Sequence, residues 1–108
     1  VIGYTKIGSH QASVARAMIN LGADLAIAVG EESGVSRCCL RAIHPFHKMT
    51  GIHLGNDVAQ IIAERMGGIG GGHSTAASFS AGITPKKIAN NVLKIVEDSV
   101  GVEKKILK

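Results

Sequence analysis

The chain has 108 residues, 12 Lys+Arg against 8 Asp+Glu, and a net charge of +4. That length holds one domain with one core, no apolar run is long enough to span a bilayer, and the basic balance favours anionic partners. Aromatic residues are 3% of the chain, namely Tyr4, Phe46 and Phe79, which argues against a base-stacking platform, and the adjacent Cys38 and Cys39 fit neither a disulfide framework nor a zinc finger.

Val1 to Ile7 reads as a first strand. Ser9 is the expected N-cap of a helix that runs to about Leu21, with Gly22 as its stop. Ala23 to Val29 is a continuous apolar run, broken only by Asp24, as expected of a strand covered on both faces. Gly34 marks a turn, and Ser36 to Ile43 returns as a third strand. There the two-residue period puts Arg37, Cys39 and Arg41 on one face and the apolar Cys38, Leu40 and Ala42 on the other. The two guanidiniums stand in line, about 13 Å apart, suited either to successive phosphates or to surface carboxylates such as Glu31 and Glu32.

A loop rich in His, Pro and Gly is expected from His44 to Gly55. Its His44, His47 and His53 match no metal-binding spacing. Asn56 then caps a helix ending at Gly67, with Val58, Ile61, Ile62 and Met66 at helical spacing. Gly67 to Gly72 holds five glycines in six residues, with His73 and Ser74 following at once. Such a run suits a sharp turn or the close approach of an anion to bare amides, with His73 beside it as a donor. A P-loop is set aside because the order is reversed, helix before and strand after, and no lysine is present. The dinucleotide fingerprint fails because His73 stands where its third glycine belongs.

Ala76 to Gly82 alternates as a fourth strand with Ala77, Phe79 and Ala81 on one face. Thr84 and Pro85 start an amphipathic helix through about Ser99, after which Val102 to Leu107 suggests an edge strand. The expected fold is α/β, a mixed sheet of four to five strands with helices packed against it, as one domain over residues 1–108. The chain opens on a strand and not on Met, which reads as a domain cut from a longer protein, with a cytoplasmic setting as the default.

The glycine–histidine string and the arginine strand together resemble the DHH-associated C-terminal domain of DHH-family phosphoesterases, which include RecJ-type exonucleases, nanoRNases and cyclic-dinucleotide phosphodiesterases. The family motif is Gly-Gly-Gly-His-x-x-Ala-Ala-Gly. Gly70, Gly71, Gly72, His73, Ala76 and Ala77 match it, and Ser78 replaces the last glycine. The family's Ser-x-Arg-Ser corresponds to Cys39-Leu40-Arg41-Ala42, with the arginine kept and both serines lost.

The resemblance implies that Arg41, Gly70, Gly71, Gly72 and His73 bind substrate phosphate, with Arg37, Cys39 and Ser74 as accessory positions. It implies further that no cofactor is held in this chain, and that manganese or magnesium is bound by a separate N-terminal DHH domain. The ligand it implies is a single-stranded nucleic acid, a short oligonucleotide or a dinucleotide. No membrane partner is expected, and homodimerisation is left open. The scarcity of aromatic residues favours short substrates held by their phosphates. The other readings are a non-catalytic RNA-binding or oligomerisation module like the C-terminal domain of alanyl-tRNA synthetase, which is glycine-rich here without the same histidine, and a structural domain whose glycine run merely turns.

Overall fold

The structure, a computed structural model, describes residues 1–107, with side chains described for residues 1–99. Five strands form one sheet in the order β1-β2-β3-β5-β4. They are β1 (Ile2–Lys6), β2 (Leu25–Glu32), β3 (Val35–Ala42), β4 (Ile69–Gly72) and β5 (Ala76–Ala81). β1 runs parallel to β2 and every other pairing is antiparallel, so the sheet is mixed. The helices packed against it are α1 (Gln11–Asn20), α2 (His44–Thr50), α3 and α4 (Pro85–Leu107). α3 opens as a π-helical segment, Leu54–Ala59, and continues as Gln60–Met66.

The alternation read from the sequence divides the sheet into two unlike faces. Leu25, Ile27 and Val29 of β2, Cys38 and Leu40 of β3, and Phe79 of β5 are all buried on one face. Leu54, Val58 and Ile62 of α3 and Ile88, Val92 and Val96 of α4 complete that core. The opposite face is covered by α1 alone, whose Ala15 packs on Ala26 and Ala28 with Val14, Met18 and Ile19 at the margin. α1 reaches β2 and β3, so among the described residues the β5-β4 part of this face has no helix over it.

Several boundaries differ from the sequence reading. The carbonyl of His10, not Ser9, accepts the first helical bond of α1, from the Val14 amide at 3.0 Å, and His10 holds the N-cap position with φ 62°. The expected loop after β3 contains α2. Pro45 lies in its first turn with φ already set for a helix, and Gly51, at φ 71°, ends it by donating to the His47 carbonyl. α3 starts before Asn56 because His53 caps it. The His53 Nδ1 accepts from the Asn56 amide at 2.9 Å while Asp57 Oδ2 accepts from the His53 amide at 2.8 Å, a reciprocal pair of the capping-box kind.

The glycine run is not a loop. Ile69–Gly72 forms the edge strand β4, paired with β5 from Ile69 opposite Ser80 to Gly72 opposite Ala77. No strand forms at 102–107, because α4 continues to Leu107. A lone Gly101 costs a helix only about 1 kcal/mol and no proline follows. β2 and β3 join through Ser33 and Gly34, both at positive φ, a two-residue turn whose twist matches the strands.

Candidate phosphate-binding groove

The register places the sequence-selected residues in rows across the uncovered half-face. Cys39 of β3 lies opposite Ser78 of β5, which lies opposite Gly71 of β4. One row over stand Arg37, Ser80 and Ile69. In the row on the other side, Arg41 pairs with Ala76, whose carbonyl accepts from the His73 amide at 2.7 Å. Arg41 and His73 are thus two strand spacings apart, about 10 Å, at one end of the sheet.

Small side chains make the floor of this face concave. Arg37, Cys39, Gly71, Ser78 and Ser80 line a groove of about 700 Å³. Cys39, Gly71 and Ser78 also line a smaller depression beside it, closed by Arg41, Gly72 and by Ala12 and Ala15 of α1. Arg37 and Ser80 further line a third hollow toward the start of α1. The first two depressions share Cys39, Gly71 and Ser78 and form one trough between the arginine strand and β4, with α1 as a side wall, and the third adjoins it at Arg37 and Ser80 on the β2 side.

Neither arginine is taken up by the protein. Arg37 is exposed and Arg41 half-buried, and neither forms a hydrogen bond or ion pair among the described residues. Glu31 and Glu32 line the far hollow without closing on Arg37. A guanidinium partly withdrawn from water and facing an open trough is set up to accept an anion in bidentate fashion.

The glycines separate by face. A Cβ on Gly70 would strike Phe79 and lie 2.9 Å from the Ala59 carbonyl oxygen. On Gly72, at φ 148°, it would lie 2.6 Å from the Ala76 carbonyl oxygen, and Gly55 of α3 sits directly on the Gly72 backbone. These glycines let α3 and β5 pack against β4. Gly71 differs, since a Cβ there would meet nothing within 4 Å. Counting the antiparallel alternation from the His73–Ala76 pair, the Gly71 amide belongs to the bonded pair with Ser78, so Gly71 offers the trough space and not a free donor.

His73 is exposed in the β4–β5 turn, where its carbonyl accepts from the Gly55 amide at 3.0 Å, and it is not among the residues lining the trough. Ser74 is half-buried beside it, and its carbonyl accepts from the Leu54 amide at 3.0 Å. The structure brings together Arg37, Cys39, Arg41, Gly71, Ser78 and Ser80, and leaves His73 and Ser74 at the rim near Arg41. The motifs do not point to Ser78 and Ser80, although the alternation that places Ala77, Phe79 and Ala81 inside also places both serines outside.

The cysteines divide likewise. Cys38 is buried in the core, and desolvation pushes its thiol far above the ordinary range, with Cys39 adding to the effect. Cys39 is half-buried in the trough floor, where burial raises its thiol while the Arg37 charge pulls it back down. Among the described residues no group of three or more His, Cys, Asp or Glu could hold a metal ion. The His47 Nδ1 lies 2.7 Å from the Ile52 carbonyl and the His53 Nδ1 serves the α3 cap, so those rings have structural duties. No helix among the described residues is long and apolar enough to cross a membrane.

No family model matches the chain. An uncharacterized protein of Methanocaldococcus jannaschii is 33% identical over 100 residues, which are 88% of this chain and 29% of that protein. The chain thus spans under a third of the curated relative it matches. Among solved structures, the C-Ala domain of alanyl-tRNA synthetase from Aquifex aeolicus is similar with a TM-score of 0.63, covering 89% of this chain and 87% of that one at 12% identity. The DHH domain of a member of the s1p family of ribosomal proteins gives a TM-score of 0.56, covering 86% of this chain and 25% of that one at 18% identity. At such identities the likeness is one of fold.

Proposed function

We propose that this chain is a phosphate-binding module for nucleic acid or nucleotides, of the DHH-associated kind, that positions substrate for hydrolysis by a separate DHH domain. The observation that carries the reading is Arg41, half-buried at the edge of the trough with no carboxylate partner among the described residues. The glycine–histidine string ends beside it, and the fold likeness to a structure described as a DHH domain supports the same assignment.

In this reading Arg41 grips phosphate oxygens through two parallel N–H bonds, and His73 supplies a further donor from the rim. The chain's own work is binding and orientation. The reading assigns the phosphodiesterase chemistry, with its manganese or magnesium, to the separate DHH domain. The hydroxyl of Ser78, directly opposite Cys39 on the trough floor, stands near where the family's lost serine at Cys39 would have offered its own, whereas Ala42 lies on the buried face of β3.

A second reading is favoured by one observation. The C-Ala likeness covers 87% of that domain, so nearly the whole of each fold corresponds. On this reading the same trough binds RNA without any associated hydrolysis.

Salt dependence of binding tests the shared core of both. With two or three phosphate contacts on a single strand, log affinity should fall against log salt with a slope of about −1.4 to −2.1. Arg41→Ala should flatten that slope by about 0.7 and leave base preference nearly unchanged, because phosphate contacts position a strand and carry little sequence information. An Arg41→Ala chain with the parent's affinity and slope would remove the reading. Manganese-dependent phosphodiester cleavage by this chain alone, lost in His73→Ala, would contradict the assignment of catalysis to a partner.

A further inference from the structure

Arg37 is left over once Arg41 and His73 have been assigned to one phosphate. It stands on the same face of β3, four residues and about 13 Å away, joined to Arg41 by the continuous floor of Cys39, Ser78 and Gly71. It is exposed and has no carboxylate partner among the described residues, and Ser80 lies opposite it as a second donor. The floor between the two arginines is free of bulky side chains, and Gly71, alone among Gly70, Gly71 and Gly72, has no packing contact that a Cβ would violate.

Resting on the phosphate-binding reading, we propose that the trough takes an extended phosphodiester strand. One phosphate lies at Arg41, the phosphate two steps along lies at Arg37 and Ser80, and the intervening sugar–phosphate passes over Cys39, Ser78 and the bare Gly71. Arg37 is then a length-determining residue: a ligand with a single phosphate reaches Arg41 only, whereas one with three successive phosphates engages both arginines. The absence of aromatic side chains among Arg37, Cys39, Gly71, Ser78 and Ser80 leaves the bases without a stacking surface there, so recognition is of the backbone. Deoxyribose and ribose strands share that chemistry.

Competition against a fluorescein-labelled hexanucleotide tests this, using unlabelled 5′-phosphorylated thymidylates and uridylates of one to six nucleotides. Affinity should rise most between two and three nucleotides and level off beyond. Arg37→Gln should abolish that rise, weakening the trinucleotide by about tenfold, the scale of one charge-assisted hydrogen-bonded contact, while leaving the mononucleotide unchanged. Gly71→Val, which adds bulk in open space, should weaken the trinucleotide more than the mononucleotide. If the thymidylate series alone shows the step, the ligand is DNA; if the uridylate series alone shows it, the ligand is RNA.

A parent chain with no step between two and three nucleotides, or an Arg37→Gln chain that retains it, would overturn the two-clamp arrangement. Arg41→Gln keeps the two failures apart. If Arg41→Gln weakens every length while Arg37→Gln is silent, only the second clamp is wrong. If both are silent, the phosphate-binding reading falls with it.

Discussion

At the scale of single residues, adjacent positions of the same type serve different ends, and substitution should separate them. Gly70→Ala should cost about 1–3 kcal/mol, since its new Cβ meets Phe79 and the Ala59 carbonyl, whereas Gly71→Ala should stay within about 0.5 kcal/mol of the parent in urea denaturation. The two cysteines divide in the same way. Because burial raises the Cys38 thiol above its ordinary value near 9.0, the folded chain keeps a proton that the unfolded chain releases once pH passes that value. Folding stability should therefore be unaffected by this group below about pH 9 and should fall above it, by about 1.4 kcal/mol per pH unit. Cys38→Ala should lower stability at neutral pH through the lost packing and should flatten the alkaline slope. A slope identical in parent and variant between pH 9 and 10.5 would contradict the assignment.

At the scale of elements, the regular pieces were legible where side-chain period and end signals agreed. The face of β3 carrying Arg37, Cys39 and Arg41 follows from strict alternation, and α4 follows from the Thr84-Pro85 start and its apolar spacing. The pieces that are not legible share a cause, which is that Gly, Pro and His have the local signature of breakers. In α2, Pro45 and Gly51 mark the start and the end of a short helix and do not break one. In β4, Gly70 and Gly72 are demanded by the close approach of α3 and β5, a tertiary requirement with no local signature. The cap of α3 depends on His53 as hydrogen-bond acceptor, a residue seldom expected in that role. His53→Ala should cost about 1 kcal/mol and His53→Asn should recover most of it, as read by thermal unfolding. Equal losses in the two variants would show that the imidazole's packing matters more than its acceptor.

At the scale of the whole molecule, the sheet is covered fully on one face and partly on the other, and Arg37 and Arg41 stand beside the uncovered part. The core face holds Phe79, Leu25 and Ile27 at 2% exposure or less, so the domain has a packed interior that does not depend on the trough being filled. The sequence could place the arginines on one strand, but only the order β3-β5-β4 reveals that β4 and its glycines lie two strands away from them across a common floor. Cys39 lies in the middle of that floor and is the one described cysteine open to a reagent, which makes it a local reporter. The most direct test of the trough as the binding site is therefore the rate of Cys39 alkylation, followed by mass spectrometry, with and without a phosphorylated hexanucleotide. The account predicts that Cys39 alone is modified, that ligand slows the reaction severalfold, and that Arg41→Gln abolishes the protection; a Cys39 rate unchanged at ligand concentrations that saturate binding would contradict it.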